Sequence, residues 1–165
     1  MNIEELIINN VYEKSLIKEI FKLDEDLYGI GISSINNSIV AVYAFNNSYN
    51  NRWENGLLKY IRNIEGNSYL HVQNTALIKA SLNQTIIYVL EKSLGKYVYK
   101  GIFKSQGDPI IERDKFKNTE TYCFSLIPES PEVIPIKPEG AKSNNLDKNM
   151  KLLDVYRTDR DLVIS

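Results

Sequence analysis

The sequence has very few of the residues on which most metal sites and many catalytic centres depend. Its 165 residues include one cysteine, Cys123, and one histidine, His71. A single cysteine cannot form a disulfide within the chain, and these two residues cannot supply a thiolate or imidazole metal site. Neither a G-x-S-x-G nucleophile motif nor a phosphate-binding G-x-x-x-x-G-K-[ST] motif is present. These absences exclude a disulfide scaffold and several classes of enzyme.

The chain also lacks a long apolar segment and a basic N-terminus. No uninterrupted apolar run approaches the roughly 18–20 residues that a membrane-spanning helix needs. The N-terminus carries Glu4 and Glu5 where a secretory signal would carry positive charge. We therefore expect a cytoplasmic protein that makes no membrane contact.

Charge of either sign is balanced overall but unevenly distributed. The composition, 43% hydrophobic and 25% charged, is typical of one globular domain, and the net charge is −1. Residues 1–51 carry 3 Lys/Arg and 7 Asp/Glu, residues 52–118 carry 11 and 6, and residues 119–165 carry 6 and 8. The middle segment is therefore net +5. Such a segment can present a positive surface to phosphates, and chance segregation of surface charge explains it equally well.

Short strands dominate the predicted secondary structure. Segments rich in β-branched and aromatic residues predict strands at residues 38–45, 57–61, 85–91, 97–105 and 121–127. Apolar residues at helical spacing predict one or two short helices within residues 3–21 and a helix over residues 73–83, with Asn74 or Thr75 as its N-cap. The fold class is therefore α+β, a small curved β-barrel over residues 1–130 with a few flanking short helices. A Pro-rich linker over 131–147 and a C-terminal tail over 148–165, with the length for one short helix, complete the predicted organisation.

Two charged clusters contain the carboxylates that a metal-dependent nuclease needs. One, at residues 112–115, lies in a predicted hydrophilic turn, and the other, at residues 132–137, is interrupted by Pro135. Solvated loops are the simpler interpretation of both. Cys123 alternates within a strand pattern and is expected to be a small buried side chain. We therefore predict no catalytic residue, no metal and no cofactor for this chain.

The middle of the chain carries an ordered set of short motifs. They are YNNRWENGLLKY (49–60), NIEG (63–66), QNTAL (73–77), IIYVLE (86–91), KYVYKGIF (96–103) and YCFSLIP (122–128). This succession resembles the SRA (SET- and RING-associated) domain, and especially the N-terminal domain of bacterial HNH-type modification-dependent restriction endonucleases. The likeness covers about residues 35–130, and it is carried by the order of the motifs rather than by any one of them.

The resemblance implies a curved, PUA-like β-barrel that binds double-stranded DNA carrying a modified base, a 5-substituted cytosine. Members of the family rotate that base out of the helix into a pocket. A pocket that encloses the whole base can test its Watson–Crick edge and its 5-substituent together, whereas a 5-methyl group changes only a small apolar surface in the major groove. This chain would then be the specificity module of a modification-dependent restriction system, without catalysis of its own.

The same resemblance implies a base pocket formed by Tyr49, Asn51, Tyr60 and Ile61. Tyr49 and Tyr60 match the two aromatic residues that sandwich the base. Asn51 lies in the segment where the family has an aspartate that accepts from the cytosine N4 amino group, and an amide can donate as well as accept. Ile61 replaces a small polar residue. These departures are compatible with a bulkier modification, a shifted register or lost base recognition.

Other residues are predicted to support the pocket or to contact phosphates. Trp53 is expected to anchor the core, Gly56 and Gly66 to allow the backbone geometry of turns, and Asn74 to cap a helix or brace the pocket loop. The basic residues predicted to contact phosphates are Arg52, Lys59, Arg62, Lys79, Lys100 and Lys104.

Two other functions remain open at this point. Because PUA-like barrels also serve RNA, the chain could be an RNA-binding module that uses a basic groove and exposed aromatic residues. It could also be a small metal-dependent nuclease with carboxylates in an unrecognised pattern. The expected partners are double-stranded DNA with modified cytosine and a nuclease domain or subunit, and a homodimer is left open.

Overall fold

The computed structural model of the protein describes residues 1–23, 30–32, 37–45, 49–114 and 117–135. Within these ranges the chain forms nine strands, two α-helices and two short 3₁₀ turns, all in one compact unit, Met1–Ile134. The strands are β1 (Val11–Tyr12), β2 (Gly31–Ile32), β3 (Ile39–Tyr43), β4 (Arg52–Glu54), β5 (Leu57–Asn63), β6 (Ile87–Ser93), β7 (Lys96–Ser105), β8 (Ile110–Asp114) and β9 (Thr119–Pro128). The helices are α1 (Lys14–Phe21) and α2 (Ser68–Asn83), and the 3₁₀ turns are Ile3–Glu5 and Pro131–Val133.

The strands belong to one mixed sheet. Its main path runs β2-β3-β6-β7-β9-β5-β4, with β1 beside β7 and β8 beside β9. Every pair is antiparallel except β3 and β6, which run parallel with Tyr43 opposite Glu91. The predicted α+β class is confirmed. Closure into a barrel is not confirmed, because the path of the described strands has two ends, at β2 and β4.

The two helices cover different faces of the sheet. Alternate residues of β3 point to opposite sides: Ile39 and Ala41 lie in a first core with α2, whereas Val40 lies in a second core with α1. All five residues of β3 are therefore buried, which explains why its sequence is apolar throughout. The first core also contains side chains of β5, β7 and β9, and the candidate site lies at its edge.

The second helix differs from its prediction. It begins at Ser68 rather than at residue 73, and its N-cap is Asn67, whose side chain accepts a hydrogen bond from the Leu70 N–H at 2.9 Å. Capping by Asn74 or Thr75 is therefore wrong. The first turns carry exposed Tyr69 and Val72, so they lack the apolar stripe from which the helix start could be predicted.

Hydrogen bonds from two side chains link the end of β3 to β5. The Tyr60 hydroxyl donates to the Val42 carbonyl at 2.8 Å. The Asn51 side chain donates to the Ala44 carbonyl at 3.1 Å and accepts from the Ile61 N–H at 2.8 Å. We call these five residues the seam. They hold the end of β3 against the middle of β5 with hydrogen bonds from side chains instead of a strand ladder.

The C-terminal end of the described chain packs onto the first core. Val133, in the turn Pro131–Val133, is 4% exposed and belongs to that core. The domain boundary at residue 130 stays a prediction. Residues 136–147 of the predicted linker and the predicted tail, residues 148–165, lie outside the described residues.

Candidate nucleic-acid interface

Three of the four predicted pocket residues lie inside the protein: Tyr60, Ile61 and Asn51. Tyr60 is 2% exposed, and burial raises the pKa of its phenol, partly offset by the nearby Arg62 guanidinium. That guanidinium lies 6.0 Å from the centre of the Tyr60 ring. Ile61 is also buried, on the opposite face of β5, where it faces Cys123 of β9. The Tyr60 ring is therefore a part of the first core in this structure.

Asn51 is committed to the seam. It is 8% exposed, and its amide oxygen and amide nitrogen are each hydrogen-bonded to the backbone of a different strand region, at Ile61 and Ala44. The amide oxygen has a second lone pair, but the burial of the side chain leaves little access for a base amino group. Asn51 is thus placed to position the pocket segment of the chain.

Tyr49 is the predicted pocket residue that stays partly exposed. Its hydroxyl accepts a hydrogen bond from the Asn63 side chain at 2.9 Å, which fixes the ring against the end of β5. The Lys117 ammonium lies 4.8 Å from the ring centre, a cation–π contact that leaves the ring facing the β8–β9 connection.

Two residues that contact the Tyr49 side chain, Asn63 and Lys117, line a cavity of about 450 Å³, and Tyr49 itself lies behind this lining. The cavity lies between the chain that leaves β5 and the hairpin formed by β8 and β9. Arg113 is held at its rim by the Asn118 side chain and carbonyl, at 2.9 and 3.2 Å. The residues that line it are Asn63, Ile64, Glu65, Arg113, Lys117, Asn118, Thr119 and Glu120.

Sequence reasoning missed these lining residues. They come from two regions of the chain, residues 63–65, which belong to the NIEG motif, and residues 113–120, which precede the YCFSLIP motif and lie outside every motif that carries the SRA resemblance. The available signal was the alternation of basic residues in the segment that becomes the β8–β9 hairpin.

The predicted supporting residues lie close to the seam. Trp53 of β4 packs on Phe103, with ring centres 6.0 Å apart, and borders the first core, as expected of a core anchor. Gly56 has φ of +77° in the turn between β4 and β5. A side chain there would be strained, because few residues other than glycine adopt this region easily.

Asn74 holds the end of β5 from within α2. It is 3% exposed, its side-chain N–H donates to the Asn63 carbonyl at 2.8 Å, and its oxygen accepts from Arg62 at 3.3 Å. Because the Asn63 side chain in turn donates to the Tyr49 hydroxyl, Asn63 links Asn74 to the partly exposed Tyr49 ring. This arrangement braces the cavity.

Two of the predicted phosphate contacts are paired with carboxylates. Arg52 makes two hydrogen bonds to Glu112, at 2.7 and 3.3 Å, and this pairing raises the pKa of its guanidinium above the usual value. Lys100 donates to Asn9 at 2.9 Å and lies 3.7 Å from Glu91. Both cations are neutralised locally.

The remaining basic residues do not form one patch. Lys59 donates to Ser125 at 2.8 Å, and Lys104 lies on the same face of the sheet, opposite Ile127. Arg62 lies on the other face of β5 and bonds to Gln73 and Asn74 of α2, whereas Lys79 is exposed on that helix. Across the described ranges, none of these four cations is paired with a carboxylate. Only Lys59 and Lys104 share a surface.

The carboxylates considered for a nuclease are arranged differently from the prediction. Glu112 and Asp114 lie in β8, paired with β9, and not in a hydrophilic turn. In the part of the chain that the structure describes, no three His, Cys, Asp or Glu side chains are grouped to hold a metal ion. Cys123 is 1% exposed, so the expectation of a buried side chain is confirmed. Burial raises the pKa of its thiol.

Neither described helix is both long and apolar enough to cross a bilayer.

Comparison with known proteins gives matches at the level of structure. No protein-family model and no curated protein matches the sequence. The SRA domain of SUVH5 in complex with methylated CHH DNA is similar, with a TM-score of 0.56 and 16% identity over 82% of this chain and 93% of that chain. The modification-dependent restriction endonuclease AspBHI has a TM-score of 0.55 and 11% identity over 76% and 77%. The modification-dependent restriction endonuclease TagI has a TM-score of 0.56 and 14% identity over 76% and 50%. The resemblance to SRA domains is confirmed, and it is a likeness of fold.

Proposed function

We propose that this chain binds double-stranded DNA carrying a 5-substituted cytosine, and that the modified base leaves the helix and stacks on Tyr49. The observation that carries the proposal is the partly exposed Tyr49 ring beside a cavity of about 450 Å³, in a fold shared with an SRA domain in complex with methylated DNA. An enzyme or reader that tests a whole base must take it out of the stack.

The size of the cavity suits an extruded nucleotide. A dry cavity of about 150 Å³ holds a benzene ring, so about 450 Å³ accommodates a pyrimidine and a substituent on its 5-position. Extrusion costs a few kcal/mol of unstacking, and stacking on an aromatic side chain returns about 1–3 kcal/mol. In this proposal the base replaces the Lys117 ammonium on the Tyr49 ring, and the ammonium moves to a neighbouring phosphate.

The polar groups of the cavity supply the base contacts. Carboxylates accept from the N4 amino group of cytosine, and Glu65 and Glu120 line the cavity. Because the Asn51 amide is used by the seam, the accepting role passes in this proposal to one of these two carboxylates. Asn51 and Tyr60 then position the pocket through their hydrogen bonds to Ala44, Ile61 and Val42.

The structural neighbours support a proposal for the biological setting. AspBHI and TagI are modification-dependent restriction endonucleases. We assign this chain the reading step of such a system, with cleavage in a nuclease module or subunit. In this assignment the purified chain with Mg²⁺ leaves modified DNA intact.

Matched duplexes test the proposal. Four duplexes of one sequence, carrying cytosine, 5-methylcytosine, 5-hydroxymethylcytosine or glucosylated 5-hydroxymethylcytosine at one position, are titrated at fixed salt, together with single-stranded RNA of the same sequence. We expect at least one modified duplex to bind about tenfold or more tightly than the unmodified one. Equal affinity for all four duplexes would overturn modified-base recognition, and tighter binding of the RNA would favour an RNA-binding module.

A further inference from the structure

The turn between β6 and β7 carries an apolar residue where the backbone disfavours one. Leu94 has φ of +53° and is followed by Gly95 with φ of +79°. A two-residue hairpin turn with positive φ at both positions favours Asn-Gly. Leucine is disfavoured there because its Cβ approaches the next carbonyl oxygen. The other non-glycine residues with positive φ in the described ranges are all polar: Asn9, Lys22, Asn37, Asn55, Gln84 and Asn118.

Leu94 contributes nothing to the packing of the domain. It is 98% exposed, more than any other large apolar residue in the described part of the chain. The backbone conformation and the exposure both favour asparagine at this position. A leucine that the fold does not use points to a contact outside the chain.

The charges beside Leu94 indicate the chemistry of that contact. Lys92 and Lys96 flank the turn, and residues 92–100 contain no acidic residue. Lys96 pairs with Glu13 at 3.0 Å, with both side chains more than half exposed, so this pair is weak and easily exchanged. The tip of the hairpin is therefore an apolar side chain between two available cations.

The β6–β7 hairpin projects from the same end of the sheet as the chain that leaves β3. Because β3 and β6 are parallel, with Tyr43 opposite Glu91, the chain that leaves β3 toward Tyr49 emerges beside the end of β6. Leu94 lies three residues beyond Glu91, which corresponds to about 10 Å of strand. The tip thus extends beyond the sheet at the end where β3 finishes, next to Ala44, whose carbonyl accepts from Asn51, two residues after Tyr49.

We propose that the β6–β7 hairpin is a second DNA contact, in which Leu94 packs against base edges in a groove and Lys92 and Lys96 lie on phosphates. This proposal rests on the proposed function for the nature of the ligand. A single leucine buries far less than the roughly 800 Å² per partner of a stable protein interface. In contrast, an apolar side chain placed between base steps and flanked by cations is a common device in DNA-binding proteins.

Leu94→Asn tests the proposal because the stability of the protein should rise while its affinity for DNA falls. The change relieves the disfavoured backbone conformation, so we expect the melting temperature to rise by about 2–4 °C. It removes the apolar contact, so we expect affinity for modified and unmodified duplexes alike to fall about tenfold. Gln84→Asn is the matched control. Gln84 also has positive φ, at +55°, and lies at the other end of β6, so that variant should keep full affinity.

The outcomes separate this proposal from the proposed function. Leu94→Asn with unchanged affinity for every duplex would overturn the hairpin contact, as would a wild-type dimer that Leu94→Asn dissociates without loss of DNA binding. If wild type lacks a preference for modified bases but Leu94→Asn weakens all duplexes, the hairpin contact stands and modified-base recognition fails. Lys92→Ser with Lys96→Ser should also lower the log–log salt slope of binding by about two.

Discussion

The seam and the cavity both use the region of β5, yet their polar groups differ in exposure and pairing. In the seam, the Tyr60 hydroxyl and both ends of the Asn51 amide are paired with backbone groups and withdrawn from solvent. At the cavity, Tyr49 is partly exposed, and the Lys117 ammonium lies 4.8 Å from its ring centre. The hydrogen bonds of the seam stabilise the fold, whereas the Tyr49 side chain keeps part of its surface in contact with solvent.

The resemblance assigns Tyr49 and Tyr60 the same role in the base pocket. The difference in burial gives them separate roles. Buried Tyr60 joins β3 to β5. It therefore fixes the two strands between which Tyr49 lies in the sequence. Asn74 and Asn63 then carry that rigidity to the Tyr49 hydroxyl. A binding site is more precise when packed residues behind it lock its side chains.

The largest expected effect is the loss of stability in Tyr60→Ala. Truncating a fully buried aromatic residue costs about 3–5 kcal/mol, and here it also leaves the Val42 carbonyl without its donor. We expect the variant to melt far below wild type and its DNA affinities to fall together with the folded fraction. Thermal unfolding followed alongside titration of modified and unmodified duplexes measures both quantities.

Tyr60→Phe is the matched control for that variant. It keeps the ring and removes only the hydroxyl, so we expect a loss of about 0.5–1.5 kcal/mol and an unchanged preference for the modified base. A Tyr60→Ala protein with a wild-type melting temperature that has lost its preference would contradict the division drawn here, and would return Tyr60 to the pocket.

The strands that could be predicted are those whose own residues favour extended structure. The segments that form β3, β5, β6, β7 and β9 are rich in β-branched and aromatic residues. By contrast, β8 ends in Glu112, Arg113 and Asp114, and its conformation comes from pairing with β9. A local sequence pattern cannot predict a conformation that depends on pairing with another strand. The two-residue strands β1 and β2 are too short to leave a pattern at all.

The sequence led to the region of Tyr49, but it could not predict which residues line the cavity. The motifs identified Tyr49 and Tyr60, and the alternation of Leu58, Lys59 and Tyr60 already indicates that Tyr60 faces inward with Leu58. The partner of Arg52, however, is Glu112, 60 positions away. The lining of the cavity likewise joins residues 63–65 to residues 113–120, and only the strand register brings these together.

The next largest effect concerns binding rather than stability. Tyr49→Ala removes the proposed stacking platform, so we expect affinity for the preferred modified duplex to fall by about 5- to 150-fold, which corresponds to 1–3 kcal/mol. Binding of unmodified DNA should change little, because it does not use the pocket. The melting temperature should stay close to that of wild type because the ring is partly exposed.

A second exposed tyrosine provides the control for Tyr49→Ala. Tyr69 lies on α2 with 49% exposure and is not among the residues that line the cavity, so Tyr69→Ala should leave both affinities unchanged. If Tyr49→Ala retained the full preference for modified DNA in a well-folded protein, the cavity would lose its assigned ligand.

The smallest expected effect distinguishes cations that are free for phosphates from cations that serve the fold. Lys59 has a hydroxyl partner, Ser125, whereas Arg52 is held by the Glu112 carboxylate at 2.7 Å. We therefore expect Lys59→Ala to weaken modified and unmodified duplexes alike and to lower the log–log salt slope by about one. Arg52→Ala should leave that slope unchanged and lower the melting temperature instead, because Glu112 loses its partner. Affinities measured between 50 and 200 mM salt, a range over which phosphate contacts are strongly salt-dependent, give both slopes. A reduced slope in Arg52→Ala would mean that DNA competes with Glu112 for the guanidinium, which lies directly across the β4–β5 ladder from Lys59.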